Sequence, residues 1–351
     1  MTQTQAAEND PNQQTGNSAI VYAEGGGPQV LRLVTRPIPQ PGPGEVRVRV
    51  RVSGVNPTDW KSRSGATGGS EQVPNQDGAG VIDAVGSGVD AERIGERVWL
   101  WEAAWQRTDG TAQQYLTIPA RQAVQLPDHA SFDLGASLGI PALTAHRALT
   151  LAEGGPARLE PGTLAGRRIL VAGGAGAVGN AAIQLARWAG AQVAATVSGE
   201  QKAALARAAG AQHVINYRDG DAADQIRGAL GGGADLIVEV APAVNADLDA
   251  AVLAGGGAVA FYANNGGDEL RLPVRALMMP NLAWHGLLVY TVTREQKDNA
   301  VADVAAAVAA GALRVGEEAG LPLHRYPLDR TADAHAAVED GAVGKVLIDV
   351  P

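Results

Sequence analysis

The chain has 351 residues, of which 46% are hydrophobic and none is cysteine, and its formal net charge at pH 7 is -9. The length exceeds what one hydrophobic core usually serves, so we expect two domains. The acidic balance argues against a nucleic-acid partner, because binding to a phosphate backbone needs a basic surface. The lack of cysteine excludes disulfides, thiolate metal sites and cysteine nucleophiles.

Residues 1–17 are mostly polar and have neither the basic start nor the apolar core of an export signal. We therefore expect a disordered tail and a cytoplasmic protein. No apolar run approaches the roughly 20 residues that span a bilayer, so we expect no membrane partner.

From residue 18 to about 140, short valine-rich segments broken by glycine and proline predict an antiparallel, barrel-like β domain. In "EVRVRVRV" the valines alternate with arginines, which is typical of a strand with one buried face. This strand leads to the polar residues Asn56, Asp59 and Lys61, and a site could lie at its end.

Residues 141–311 alternate apolar segments such as "ILVAG", "AQVAATV" and "ADLIVEV" with alanine-rich ones. This spacing predicts repeated βα units and an open, doubly wound parallel sheet. The short strands of residues 312–351 return to β character, so we expect them to complete the first domain.

The motif Gly174-x-Gly176-x-x-Gly179 lies between a predicted strand and a predicted helix. Glycines at these positions allow a tight turn, close approach of backbone N–H groups to a pyrophosphate, and packing of the helix on the strand. We expect these glycines, with Ala177 and Val178, to bind a dinucleotide at the positive end of the helix.

The second strand of this unit ends at Ser198, where an NAD site usually has an acidic residue. Lys202 and Arg218 can reach the same corner as donors to a 2'-phosphate, so we predict NADPH over NADH although Glu200 is nearby. In the alternative interpretation Ser198 caps a helix with Gln201, and the two cations are solvated surface charges.

The order and spacing of "SGVNPTDWKSRSG", "DGAGVIDAVGSGV", "LGIPALTAHRAL", "AGGAGAVGNAAIQLARWAGAQV" and "GKVLIDV" resemble those of a known family. From about residue 19 to 350 the chain is similar to the zinc-free, zeta-crystallin-like quinone oxidoreductases of the medium-chain dehydrogenase/reductase superfamily. The resemblance implies a GroES-like β-barrel catalytic domain built from both ends of the chain, a Rossmann domain between them, and NADPH in the cleft.

Zinc-bearing relatives have Cys-His-Thr-Asp and Gly-His-Glu where this chain has residues 56–59, "NPTD", and 75–77, "NQD". Neither a thiolate nor a histidine is available in these motifs. We therefore expect no metal Lewis acid in the chemistry.

The resemblance also implies roles for individual residues. It places the loop with Asn56, Asp59 and Lys61 beside the nicotinamide and the substrate, and many relatives have tyrosine in place of the lysine. It places Thr144 near the nicotinamide end of the cofactor and Lys345 on the cleft wall. Tyr217 and Arg218 are placed near the adenosine end.

Hydride addition to a quinone or an enone builds negative charge on oxygen, which needs a donor or a proton. Lys61 could supply it, although the lysine could equally be a plain surface residue and water the proton source. Asn56 could orient the nicotinamide ribose or a water, and Asp59 could be structural. Trp60 and Trp105 could line a pocket for a flat substrate.

Residues 281–292, "NLAWHGLLVYTV", form a long apolar stretch that we expect at the edge of the parallel sheet. The family resemblance implies a homodimer through this edge. Coverage of the edge by a loop of the same chain is the alternative.

Three functions stay open on the sequence. The leading one is an NADPH-dependent quinone reductase. The second is an NADPH-dependent reductase of an activated C=C bond in an enone, enal or enoyl thioester. The third is a non-catalytic, crystallin-like NADPH-binding protein.

Overall fold

We analysed a computed structural model that describes residues 16–351. Residues 1–15 of the predicted disordered tail lie outside the described residues, and Asn17 already belongs to the first strand.

The strands are β1 Asn17–Val21, β2 Arg32–Arg36, β3 Glu45–Val55, β4 Asp77–Val85, β5 Arg97–Leu100, β6 Tyr115–Pro119, β7 Ala123–Gln125, β8 Arg168–Ala172, β9 Gln192–Val197, β10 His213–Asn216, β11 Ala234–Glu239, β12 Leu253–Phe261, β13 Ala283–Gly286, β14 Leu323–Pro327 and β15 Lys345–Asp349. The helices are α1 Pro57–Ser64, α2 Phe132–Gly135, α3 Gly139–Thr150, α4 Ala177–Trp188, α5 Glu200–Ala208, α6 Ala222–Leu230, α7 Pro242–Val252, α8 Val274–Met278, α9 Arg294–Ala309 and α10 Thr331–Glu339.

The first sheet has the order β14-β15-β3-β4-β5-β7, and β6 pairs with β3 beside it. The alternating valines of β3 turn inward: Val46, Val48 and Val50 are fully buried. Irregularities in the β3–β4 register bend these strands, as expected where a sheet curves toward a barrel. β15 pairs antiparallel with β3, so the C-terminal strand lies in the first sheet.

The second sheet has the order β10-β9-β8-β11-β12-β13, and all its strand pairs are parallel. The strand order reverses between β8 and β11. In open sheets of this kind a ligand binds outside the carboxyl ends of the strands at that reversal. The predicted parallel doubly wound sheet is confirmed.

The two sheets share a hydrophobic core. One buried cluster extends from Trp99 and Leu138 of the first region to Leu143 and Val193 of the second. The junction of the domains is therefore packed, and the same cluster borders the cleft between the two sheets, since Val289 and Tyr290 belong to both.

Two local predictions were wrong. The polar segment after β3 is helix α1 rather than a loop, because Asn56 and Pro57 provide a helix start. The edge strand β13 ends at Gly286, so only part of residues 281–292 is strand. The rest turns through a 3-10 segment, Val289–Thr291, toward the cleft.

Candidate active site

Asp59 organises the start of α1. Its Oδ2 accepts the backbone N–H of Asn56 at 2.7 Å, and its Oδ1 accepts that of Gln76 at 3.1 Å. The side chain is 3% exposed. Asp59 therefore joins α1 to the segment before β4, which is the structural role that the sequence left open for it.

A buried polar triad lies at the ends of β3, β4 and β15. The Asn56 Nδ2 donates to Asp77 Oδ2 at 2.7 Å, and the Lys345 Nζ donates to Asn56 Oδ1 at 2.7 Å. The second carboxylate oxygen of Asp77 accepts the N–H of Ile140 at the start of α3, at 2.8 Å. These bonds hold the Asn56 amide in one orientation.

Burial shifts the protonation of this cluster. It raises the pKa of Asp77 and lowers that of Lys345, while their mutual attraction across 3.4 Å opposes both shifts. Burial also raises the pKa of Asp59 to about 8, helped by the charge of Asp77 and opposed by the N–H groups that Asp59 accepts. Asp77 and Lys345 thus form a buried salt bridge whose charged form is opposed by burial, and Asn56 bonds to both side chains.

A cleft of about 680 Å³ lies between the two sheets, and we call it the reaction cleft. Its first wall comes from Asn56, Thr58, Lys61 and Thr144. The opposite wall comes from the ends of the parallel strands: Val178, Val240, Phe261–Asn265 and Gly286–Thr291. The structure thus brings Asn56, Lys61, Thr144 and Val178 together in one cavity.

Lys61 spans the mouth of the reaction cleft. Its exposed Nζ donates to Asn264 Oδ1 at 3.1 Å, although the two residues are 203 positions apart in the chain. The same ammonium lies 5.8 Å from the centroid of the Trp60 ring. The cleft therefore has a positive group on the catalytic side of its entrance.

Two sequence-based placements need correction. Lys345 is 1% exposed and lies beneath Asn56, not on the cleft wall, because the carboxylate of Asp77 draws its ammonium inward. Trp60 is not among the residues that line the reaction cleft; its ring lies outside the lining, near the Lys61 ammonium. On a helix, Trp60 and the cleft-lining Lys61 necessarily face different directions.

Tyr290 is a cleft residue that the sequence analysis missed. It is 7% exposed, its hydroxyl donates to Thr58 Oγ1 at 3.2 Å, and its ring stacks on Trp105 with centroids 4.3 Å apart. Its place in an apolar run predicted a strand, and only the turn after β13 directs it into the cleft.

The glycine motif forms the turn between β8 and α4. Gly173, with φ of +69°, supplies the left-handed residue of the turn. A Cβ on Gly174 would lie 2.9 Å from the Cβ of Ala195, and one on Gly179 only 2.4 Å from the Gly173 carbonyl oxygen. At Gly176 the nearest atom would be 3.5 Å away, so space remains on that side.

The first turn of α4 has free donors. Gly176 begins the helix without a side-chain cap. Within residues 16–351, the backbone N–H groups of Ala177, Val178 and Gly179 make no hydrogen bond. Such a turn suits a pyrophosphate, and it opens beside the reaction cleft, since Val178 lines both.

The corner between β9 and β10 presents cations. Ser198 follows β9, and the N-cap residue of α5 is Gly199 rather than Ser198, so the alternative capping box with Gln201 is wrong. Glu200, the nearest acidic residue, pairs with Arg207 at 2.7 Å. Lys202 lies in the first turn of α5.

On the β10 side of this corner, the Tyr217 N–H bonds to the Val197 carbonyl at 3.1 Å, which brings Arg218 beside Ser198. Tyr217 is 47% exposed. In the described part of the chain, the side chains of Lys202 and Arg218 have no hydrogen-bond partner.

Among residues 16–351, no group of three or more histidine, aspartate or glutamate side chains is placed to hold a metal ion. Of the helices in the same range, none is long and apolar enough to cross a membrane.

Comparisons with known proteins agree with this architecture. Residues 42–128 match the alcohol dehydrogenase GroES-like domain, and residues 177–309 match the zinc-binding dehydrogenase family. A quinone oxidoreductase of Lama guanicoe is 32% identical over 341 residues, covering 94% of this chain and 96% of that protein.

Two solved structures are also similar. The Escherichia coli quinone oxidoreductase complexed with NADPH superposes with a TM-score of 0.77 and 26% identity, over 95% of this chain and 99% of that one. An NAD-dependent alcohol dehydrogenase gives a TM-score of 0.82 and 28% identity, over 95% and 100%.

The GroES-like domain with a Rossmann domain defines a medium-chain dehydrogenase/reductase, and the predicted fold class is confirmed. Within that class the chain belongs to the zinc-free quinone oxidoreductase family, as the resemblance implied, and it is an oxidoreductase.

Proposed function

We propose that the protein is an NADPH-dependent quinone reductase that binds the nucleotide along the carboxyl ends of the parallel strands and the acceptor in the reaction cleft. The observation that carries the proposal is that the nucleotide-binding turn and the reaction cleft adjoin. Val178 belongs to the uncapped first turn of α4 and also lines the cleft.

The residues present fit a dinucleotide phosphate. The free N–H groups at the start of α4 suit its pyrophosphate. Lys202 and Arg218 have free cationic groups for a 2'-phosphate, and Glu200 is occupied by Arg207. The similarity to an NADPH complex of a quinone oxidoreductase supports the same assignment.

When bound, NADPH supplies the hydride, and the side chains of the cleft position the reactants. Asn56 is held by Asp77 and Lys345, so its amide presents a fixed polar edge toward the cleft. Thr144 lies on the same wall. This rigidity favours one orientation of the reacting groups without reorganisation.

We propose that Lys61 donates a hydrogen bond to the acceptor oxygen as negative charge develops there. Its ammonium is exposed at the cleft mouth, and within residues 16–351 its one hydrogen bond is to the neutral Asn264 amide, which an acceptor can replace. Water reaches the same position and can supply the proton.

The test is oxidation of NADPH by the purified, EDTA-treated protein with 1,4-benzoquinone and, in parallel, with a 2-enal of similar size. We expect turnover with the quinone. Turnover with the enal alone would contradict the proposal and assign a C=C reductase. Tight NADPH binding with no turnover of either would assign a binding protein.

The cofactor preference has a separate test. We expect Lys202→Ala and Arg218→Ala each to reduce the ratio of kcat/KM for NADPH over NADH by about tenfold or more, as for a lost charge-assisted hydrogen bond. Arg227→Ala on α6 is the control and leaves the ratio unchanged. Unchanged ratios in all three variants would contradict the assignment of the 2'-phosphate corner.

We also propose a homodimer through the edge of the parallel sheet. The segment before β13 exposes large apolar side chains: Val274, Met278 and Met279 are each more than 60% exposed, and Leu288 follows β13 at 52%. Such surfaces mark protein contacts. Light scattering should give twice the chain mass, and Met278→Glu should reduce it; a monomer in the unmodified protein would contradict the dimer.

A further inference from the structure

The proposed function leaves one large cavity unused. This second cavity, the polar cavity, has a volume of about 680 Å³ and lies within the catalytic domain beside α1. Its lining includes Asp59, Ser62, Gln76, Trp105 and Arg107. None of the residues that line the reaction cleft lines it.

The two cavities lie on either side of an aromatic pair. Trp105 lines the polar cavity, and Tyr290 lines the reaction cleft. The two rings stack with centroids 4.3 Å apart and an interplanar angle of 14°. We call this pair the aromatic partition, since it is two rings thick and separates the cavities.

One buried ion pair holds both halves of the aromatic partition. Lys297 Nζ donates to the Tyr290 carbonyl and to Glu102 Oε2, each at 2.7 Å. Glu102 adopts a left-handed φ of +50°, and its backbone carbonyl accepts the Trp105 N–H at 3.3 Å. The turn that presents Trp105 and the segment that presents Tyr290 therefore depend on the same two side chains.

Tyr290 also bonds across the domains. Its hydroxyl donates to Thr58 on α1 at 3.2 Å, which aligns the ring with the first turn of that helix. Tyr290 is thus held at its backbone carbonyl, at the face of its ring and at its hydroxyl, and these three contacts restrict rotation of the ring. The aromatic partition is thus a fixed wall rather than a mobile side chain.

Side chains with hydrogen-bond donors line the polar cavity. The Gln76 Oε1 accepts the Ala104 N–H at 3.1 Å, and its Nε2 has no partner among the described residues. Ser62 and Arg107, which carry a hydroxyl and a guanidinium group, also line this cavity. Such donors suit an oxygen-bearing group rather than a hydrocarbon.

We propose that the aromatic partition determines acceptor size: it confines acceptors to those that fit the reaction cleft and excludes chains from the polar cavity behind it. If it is removed, the two cavities join, and the acceptor site takes a quinone whose long chain ends in a hydroxyl group. That the acceptor is a quinone rests on the proposed function. The aromatic partition is inferred from the geometry of the two cavities and is independent of that function.

The experiment compares 1,4-benzoquinone with a 1,4-benzoquinone that carries a long, hydroxyl-terminated chain. For each, kcat/KM is measured with NADPH in the unmodified protein, the Trp105→Ala/Tyr290→Ala double variant, Trp105→Phe and Lys297→Met. Trp188→Phe, on the distant end of α4, is the matched control.

Because the partition is two rings thick, both rings must go before the cavities join. We expect the Trp105→Ala/Tyr290→Ala double variant to raise the ratio of kcat/KM for the long quinone over the short one by about tenfold or more, the scale on which pockets discriminate an added group. Trp105→Phe keeps a stacked ring, so its ratio should stay within about twofold of the unmodified protein. Lys297→Met should give an intermediate rise, because it loosens Tyr290 without removing a ring.

Calorimetric titration of both quinones with the same variants separates the partition from the proposed function. If the unmodified protein turns over neither quinone, the proposed function fails, and tighter binding of the long quinone by the Trp105→Ala/Tyr290→Ala variant still supports the partition. If this double variant has the circular dichroism of the folded protein but leaves both the kcat/KM ratio and the affinity unchanged, the partition is overturned.

Discussion

The polar groups at the strand ends differ between the two domains. In the catalytic domain they bond to one another, and we call this a closed end; in the Rossmann domain backbone donors stay unpaired among the described residues, and we call this an open end. At the ends of β3, β4 and β15, Asn56, Asp77 and Lys345 satisfy one another and are almost completely buried. After β8, the N–H groups in the first turn of α4 have no partner in the part of the chain that the structure describes. The closed end supports the site, and the open end is available for a ligand.

The comparison shows why polarity alone does not identify a binding residue. Lys345 is charged and close to the cleft, but its hydrogen bonds to Asn56 and Asp77 turn it away from any ligand. Gly176 has no side chain at all, and the room beside it together with the free donors makes it a binding position.

The largest expected effect is at the closed end. Lys345→Met leaves the Asp77 carboxylate buried without a cation, which typically costs about 3–5 kcal/mol of stability. Since Asp77 can be neutralised by a proton, the loss should be greater at pH 8 than at pH 5. Urea denaturation at both values measures this, and an equal, small loss at both would show that the pair is not an ion pair.

Two buried acids lie together at the end of β11, and among the described residues neither forms a salt bridge. Glu239 is fully buried and accepts the Asn245 amide at 3.1 Å, and Asp249 is 1% exposed. Burial and the charge of Glu239 raise the pKa of Asp249 to about 9. The folded protein therefore holds a proton that an unfolded chain, with an aspartate pKa of about 3.9, has released.

This difference predicts that the free energy of unfolding falls as pH rises between these two values, by up to about 1.4 kcal/mol per pH unit. Asp249→Asn cannot ionise, so we expect its loss of stability between pH 7 and 9 to be smaller than that of the unmodified protein, by about 1–3 kcal/mol. Parallel pH profiles for the two proteins would contradict a protonated Asp249.

At the open end, Gly179→Ala tests the glycine turn. The new Cβ would lie 2.4 Å from the Gly173 carbonyl, so α4 or the turn must shift. Overpacking of this kind costs about 1–3 kcal/mol of stability unless the turn shifts. Because the pyrophosphate needs the N–H groups of the unshifted turn, we expect binding to bear a cost of the same order, which is a roughly 10- to 100-fold weaker NADPH affinity by calorimetry. Gly228→Ala, where a Cβ meets nothing within 4 Å, is the matched control and should bind normally.

The smallest effect is expected at the cleft mouth. Lys61→Ala should lower kcat/KM for a small quinone by about tenfold, because one charged donor is lost. Asn264→Ala breaks the same contact but keeps the Lys61 ammonium, so kcat/KM of this variant should be nearly unchanged. Equal losses in both variants would assign Lys61 to the interdomain contact alone.

Local patterns predicted much of the fold. The alternation in "EVRVRVRV" predicted β3, because one face of the strand is buried. The glycine motif predicted the turn into α4, because only glycine tolerates the close approaches found there. The edge segment was only partly correct, since an apolar run does not specify where a strand ends.

The site was less predictable, because distant residues build it. Tyr290 and Thr58 are 232 positions apart, and Lys345 and Asn56 are 289 apart. Nothing in the neighbourhood of either residue in the sequence indicates its partner. Lys297 was missed for the same reason: on a polar helix it is indistinguishable from a solvated lysine until Glu102 is found beside it.

The sequence by itself determined the two-domain class, the parallel sheet and the dinucleotide turn, since each follows from periodicity or from the steric needs of neighbouring residues. Only the tertiary structure decided which polar groups are satisfied internally and which stay free for a ligand. The physical reason is that a hydrogen bond or an ion pair depends on distance in space, and packing of the two sheets sets those distances.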